Sequence, residues 1–108
     1  MATVAKRKKK LVLSREVKAF AEERGLTPYL PKIIDVLYDI FADAAKMTAE
    51  VQYDPEIAEL NSLLFEVDVP WRTGQQAMLA REAWHEALAS ACPAALRHEI
   101  SLLIRRRP

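Results

Sequence analysis

The apolar residues of this 108-residue chain change their spacing part-way along the sequence. Between residues 30 and 44 they recur every three or four positions, which is the spacing of a helix with one buried face. Over residues 47–53, and again over 63–69, apolar and polar residues alternate, as they do in strands that bury one face. A chain that contains both spacings has to cover a sheet with helices, so the sequence predicts an α+β fold.

Capping residues place the other helices. Ser14 is a favourable residue for starting a helix, and Gly25 is a favourable residue for ending one. Thr73 and Gln76 have the spacing of a capping box and predict the start of a third helix, and alternation resumes at Ile100. The predicted order is therefore α-α-β-β-α-β, with a small, three-stranded, mainly antiparallel sheet packed on one face by helices.

The order of the strands within the sheet follows from the connection between the second and third strands. A right-handed crossover through the third helix makes these two strands parallel. The third strand then lies either beside the second strand or on the far side of the first. We expect the far side, with the first strand in the centre, because strands with one wet face favour antiparallel neighbours.

Charge is distributed unevenly along a chain whose formal net charge is only +1. Residues 6–10 are KRKKK and residues 105–107 are RRR, whereas residues 11–104 hold eight basic and all 15 acidic residues, a charge of −7. The length suits one hydrophobic core. We therefore predict a flexible basic tail over residues 1–10, a single α+β domain over 11–104 and a basic C-terminal end over 105–108.

The single cysteine and the short apolar runs indicate the cellular compartment in which the protein is expected. Cys92 can form no disulfide within the chain, so a reducing compartment such as the cytoplasm is expected. Only Leu11, Val12 and Leu13 follow the basic run, which is too short for the apolar part of a signal peptide. No apolar run approaches the roughly 18 residues that cross a bilayer. The sequence thus predicts no contact with a membrane.

Residues with catalytic or metal-binding chemistry are few and scattered. His85 and Cys92 are seven positions apart in the third predicted helix, which separates them by about 10 Å along its axis. Glu82 and His85 form half of a di-iron motif, but the chain has no second copy of it. His98 is isolated, and two glycines cannot build a phosphate-binding loop. We predict no catalytic residue, no metal and no cofactor, and an enzyme of unknown class is the least favoured alternative.

Apolar residues at positions that should face solvent indicate contact with a protein. Two leucines occupy the polar face of the predicted strands, a tryptophan follows a strand-ending proline, and two apolar residues point away from the core side of the third helix. These candidate contacts are Leu64, Trp71, Met78, Leu79 and Leu103. The leading hypothesis is a small non-enzymatic interaction or adaptor protein, for instance an antitoxin-like partner of a basic protein. Edge strands also allow pairing with a second copy of the chain.

The basic ends give a second hypothesis, a nucleic-acid-binding module. The residues that would contact phosphate are Lys6, Arg7, Lys8, Lys9, Lys10, Arg105, Arg106 and Arg107. If the five charges of the first run each met a phosphate, log K would fall against log salt with a slope of about −4.5. The acidic body opposes this binding, and the run contains no aromatic side chain on which a base can stack.

Overall fold

The structure, a computed structural model, describes residues 11–107, so the predicted basic tail of residues 1–10 lies outside the described residues. Within these residues, three helices and three strands follow one another in the predicted order α-α-β-β-α-β, which confirms the α+β class. They are α1 (Arg15–Glu23), α2 (Leu30–Ile40), β1 (Lys46–Gln52), β2 (Ser62–Val69), α3 (Gly74–Ala91) and β3 (Ile100–Arg106). Short 3-10 turns at Thr27–Tyr29, Ala58–Leu60 and Ala94–Glu99 connect these elements.

The predicted helix caps are present. The Ser14 hydroxyl accepts the N–H of Val17 at 3.1 Å at the start of α1, and Gly25 follows its end with a φ of 75°. At the start of α3 the Thr73 hydroxyl accepts the N–H of Gln76 at 3.2 Å. The Gln76 side chain in turn accepts the N–H of Thr73 at 3.3 Å. This reciprocal pair is a complete capping box.

Helix α2 is shorter than its apolar spacing predicts. The spacing continues to Ala44, but the helix ends at Ile40 and the chain turns at Phe41. Phe41 and Ala44 are nevertheless fully buried, because the turn folds them back against the core. Helical spacing thus identified the buried residues here but not the end of the helix.

The strand order differs from the predicted one. β1 pairs antiparallel with β2, and β3 pairs parallel with β2 on its other side, so the order is β1-β2-β3. The expectation that the first strand is central is wrong, and the sheet is mixed rather than mainly antiparallel. The reason is burial, since Leu63, Phe65 and Val67 on the inner face of β2 have no exposed surface. The strand with the most apolar side chains gains the most stability from lying between two other strands, because its apolar surface is then fully buried.

Helix α3 packs on this central strand through one large side chain. The Trp84 ring meets the Phe65 ring edge to face, with 6.3 Å between centroids and 68° between planes. Trp84 is 2 % exposed, and most of its neighbours along the inner side of α3 are small. The Trp84 ring therefore bridges α3 and the central strand of the sheet. The opposite face of the sheet carries polar and charged side chains at alternate positions of β2 and β3.

We predict that Trp84→Ala lowers the free energy of unfolding by about 3 to 5 kcal/mol, because it removes the largest buried side chain between α3 and β2. Urea denaturation followed by circular dichroism measures this loss. A loss below about 1 kcal/mol would show that the helix is not held to the sheet by this residue.

Candidate interaction surface

The chemically reactive side chains are not brought together. His85 is exposed on α3, whereas Cys92 is buried just after the end of that helix. Burial raises the pKa of the Cys92 thiol, which therefore stays protonated and is a weak nucleophile. Within residues 11–107, no group of three or more His, Cys, Asp or Glu side chains is placed to hold a metal ion.

The open face of the sheet holds two of the C-terminal arginines that the sequence offers for nucleic acid. Arg105 bonds to the Glu66 carboxylate, and the Arg107 Nε atom lies 3.1 Å from an Asp68 carboxylate oxygen. Arg106 points elsewhere and donates to the carbonyl of Arg72 at 3.2 Å.

A shallow groove of about 310 Å³ on this face is lined by Lys46, Thr48, Glu66, Asp68, Arg105 and Arg107. A phosphate would have to displace carboxylates from Arg105 and Arg107. The other predicted nucleic-acid contacts, Lys6 to Lys10, lie outside the described residues.

The predicted protein contacts lie at separate places on the molecule. Leu64 is half-buried and Leu103 is 37 % exposed, and the strand register makes them diagonal neighbours on the open face of the sheet. Met78 and Leu79 are exposed on α3. They therefore form no single patch with the leucines of the sheet.

Trp71 is held inside the fold more than its loop position suggests. Its indole ring stacks on the Phe41 ring with 5.8 Å between centroids. Its ring N–H donates to the Asp43 carboxylate at 2.7 Å. The side chain is half-buried, so its main contacts are with its own domain.

The β1–β2 hairpin loop carries an apolar surface that the sequence analysis did not identify. Tyr53 is 58 % exposed, Ile57 is 47 % exposed and Leu60 is 59 % exposed. We call these three side chains the hairpin-loop surface. The sequence contains a signal for it, since Ile57 and Leu60 interrupt a polar loop that would otherwise need no apolar residue.

Hydrogen bonds fix the conformation of this loop. The Asp54 carboxylate accepts the N–H groups of Glu56 at 2.9 Å and Ile57 at 2.8 Å. The Asn61 side chain accepts the N–H of Asp54 at 2.7 Å, and the Tyr53 hydroxyl donates to the Glu16 carboxylate of α1. The apolar side chains are therefore presented by an ordered backbone.

A partly buried ion pair anchors the loop to the rest of the fold. Arg24, at the end of α1, bonds to the Glu99 carboxylate at 2.6 Å and donates to the Ala58 carbonyl of the loop at 3.0 Å. Its guanidinium lies 4.7 Å from the centre of the Phe20 ring. The other Glu99 oxygen is 3.2 Å from the exposed His98. One arginine thus joins α1, the hairpin loop and the residue that precedes β3.

Carboxylates surround the hairpin-loop surface. Glu56 and Glu59 are exposed within the loop, and Asp54 lies at its start. The hydrogen bonds from the N–H groups of Ile57 and Glu56 hold the pKa of Asp54 below its usual value, so it is ionised at neutral pH. The surface is therefore both apolar and acidic.

Comparison of the chain with protein-family models, with curated proteins and with solved structures finds no match. In the described part of the chain, no helix is long and apolar enough to cross a membrane.

We predict that acidification weakens the native state partly through Asp54. A carboxylate with a lowered native pKa contributes stability that is present above its unfolded pKa of about 3.8, and this stability is lost as the pH falls further. Asp54→Asn keeps a side-chain oxygen that can accept both N–H groups but does not titrate. Urea denaturation between about pH 2 and pH 5 should therefore show a shallower pH dependence for Asp54→Asn than for the unaltered chain. Parallel curves would show that Asp54 does not couple protonation to folding.

Proposed function

We propose that this protein is a non-enzymatic interaction module, an adaptor that binds a basic protein partner through the hairpin-loop surface. The observation that carries the proposal is the exposure of Tyr53, Ile57 and Leu60 on an ordered loop. An antitoxin-like association with a basic protein is one form of this function.

The fixed backbone supports binding for a thermodynamic reason. Association removes the freedom of any mobile group at an interface, which costs about 0.5 to 1.5 kcal/mol for each flexible side chain. The side chains of Asp54, Asn61 and Arg24 already hold the backbone of the hairpin loop in place. Less freedom remains to be lost when a partner covers Ile57 and Leu60.

The charge of the surface defines the chemistry of the partner. Glu56 and Glu59 lie beside the apolar side chains, and residues 11–104 carry −7 in total. A partner with an apolar depression rimmed by lysine or arginine would cover the apolar side chains and compensate the carboxylates. Attraction between opposite charges would also speed the encounter, so association should slow as the salt concentration rises.

The described residues favour a protein over a nucleic acid as the partner. Two of the C-terminal arginines, Arg105 and Arg107, face the carboxylates of Glu66 and Asp68 on the sheet. Among residues 11–104, 15 acidic residues outnumber eight basic ones, and this excess of negative charge would repel a phosphate backbone. This leaves the acidic hairpin loop as the better candidate contact.

Quantitative affinity capture from the source cell tests the proposed function. The bait is the full chain, and the test bait carries Ile57→Ser together with Leu60→Ser. Leu79→Ser is the matched control, because Leu79 is 55 % exposed but lies on α3, away from the loop. We expect the unaltered chain and the control to retain the same basic proteins and the loop variant to lose them.

The direct binding constant of each retained protein should then be measured at several salt concentrations. The proposal predicts at least about a tenfold weaker Kd for the loop variant, with weaker binding of the unaltered chain at higher salt. Equal capture by all three baits, or a captured set of acidic proteins, would contradict it. Melting temperatures of the three baits show whether each is folded.

A further inference from the structure

Strand β3 leaves one row of backbone groups at the edge of the sheet. The Arg107 N–H donates to the Val69 carbonyl at 2.8 Å, and the parallel register pairs Val69 with Arg106. In a parallel ladder, alternate residues bond to the neighbouring strand. The N–H and C=O groups of Ser101, Leu103 and Arg105 therefore point to β2. Those of Leu102 and Ile104 point to the outer edge.

The outer edge of β3 has no strand partner among the described residues. β3 is the last strand of the sheet, and no strand of residues 11–107 pairs with its outer side. The Arg81 guanidinium of α3 donates to the Leu102 carbonyl at 3.3 Å from the solvent-exposed side. A single long hydrogen bond of this kind is easily exchanged for a backbone partner.

Apolar side chains surround the same edge. Leu102 and Ile104 are only half-buried, although their neighbours on β2, Phe65 and Val67, have no exposed surface. Leu103 is exposed on the other face. An apolar edge with unpaired backbone groups is a template for another strand.

We propose that the occupant of this edge is β3 of a second copy, paired antiparallel about a two-fold axis at Leu103. Each Leu102 then exchanges N–H and C=O bonds with the other copy's Ile104. The two Leu103 side chains meet on the open face, and the half-buried Leu102 and Ile104 side chains meet on the inner face. This isologous pairing joins the two sheets into one and extends beyond the adaptor function proposed above.

The charges of β3 disfavour registers that bring the arginines of the two copies together. The axis at Leu103 places Arg105 opposite the uncharged Ser101 of the other copy. The two Arg105 residues are then four positions apart along the strand, about 13 Å. An axis at Arg105, or a parallel pairing, would put the arginines of both copies side by side, where like charges destabilise a sheet. The run of arginines thus acts as a register signal.

Disulfide trapping in the full chain tests the register. The backbone N–H and C=O groups of Leu103 bond to β2, so the two Leu103 residues form a non-hydrogen-bonded pair across the axis. Their Cα atoms are then about 4.5 Å apart, which is within disulfide range. Leu103→Cys should therefore form a covalent dimer under mild oxidation. Two matched controls should form no covalent dimer. They are Ser101→Cys, on the same face of the same strand, and Leu60→Cys, on the hairpin loop. Cys92 stays in place because it is buried.

Sedimentation equilibrium of the unoxidised chain tests the association without a cross-link. Leu103→Lys places two positive charges at the axis, and we expect a dimer Kd at least about tenfold weaker than that of the unaltered chain. Leu60→Lys should leave the Kd unchanged. A chain that is monomeric at every concentration, or equal trapping of Leu103→Cys and Leu60→Cys, would overturn the proposal. Loss of partner capture by the loop variants alone would leave it standing.

Discussion

The edge-to-face contact between Trp84 and Phe65 determines much of the architecture. It fixes α3 on the inner face of the central strand, and the crossover through α3 then delivers β3 parallel to β2 and beside it. Because all three strands keep their apolar side chains on the same face, the helices cover only that face. The open face and the free edge of β3 are both consequences of this arrangement.

A second constraint lies at the other end of the molecule, where Arg24 meets Glu99. Removing one member of such a pair would leave a poorly solvated charge, so the pair keeps α1 and the start of β3 together even if its net contribution to stability is small. The same guanidinium bonds to the Ala58 carbonyl. The ordered conformation of the hairpin-loop surface thus depends on a side chain that is distant in sequence.

Local signals made much of the fold predictable. The caps at Ser14 and Thr73 and the two apolar spacings depend on neighbouring residues, and they produced the correct order of elements. Strand order depends instead on which strand has the largest apolar surface to bury. The clue was the uninterrupted inner face of β2, which includes Phe65, compared with Ala49 at the centre of β1. The preference of wet-faced strands for antiparallel pairing was the weaker effect.

The candidate surfaces were less predictable, because they depend on which distant residues meet. Sequence position suggested that Arg105 and Arg107 are available to phosphate, but the register sets them against the carboxylates of β2. Ile57 and Leu60 lie in the connection between β1 and β2, and a loop has no apolar periodicity that marks a buried or exposed face. The contacts of Arg24, Asp54 and Asn61 show that this loop is an ordered surface.

Amide hydrogen exchange along β3 tests most directly the claim that this strand is a parallel edge strand open to a second copy. At low protein concentration the amides of Leu103 and Arg105 should be protected by β2, while those of Leu102 and Ile104 exchange rapidly. Protection of Leu102 and Ile104 should then rise with protein concentration as the second copy pairs with them. Protection that alternates in the opposite sense, or no change with concentration, would contradict this account.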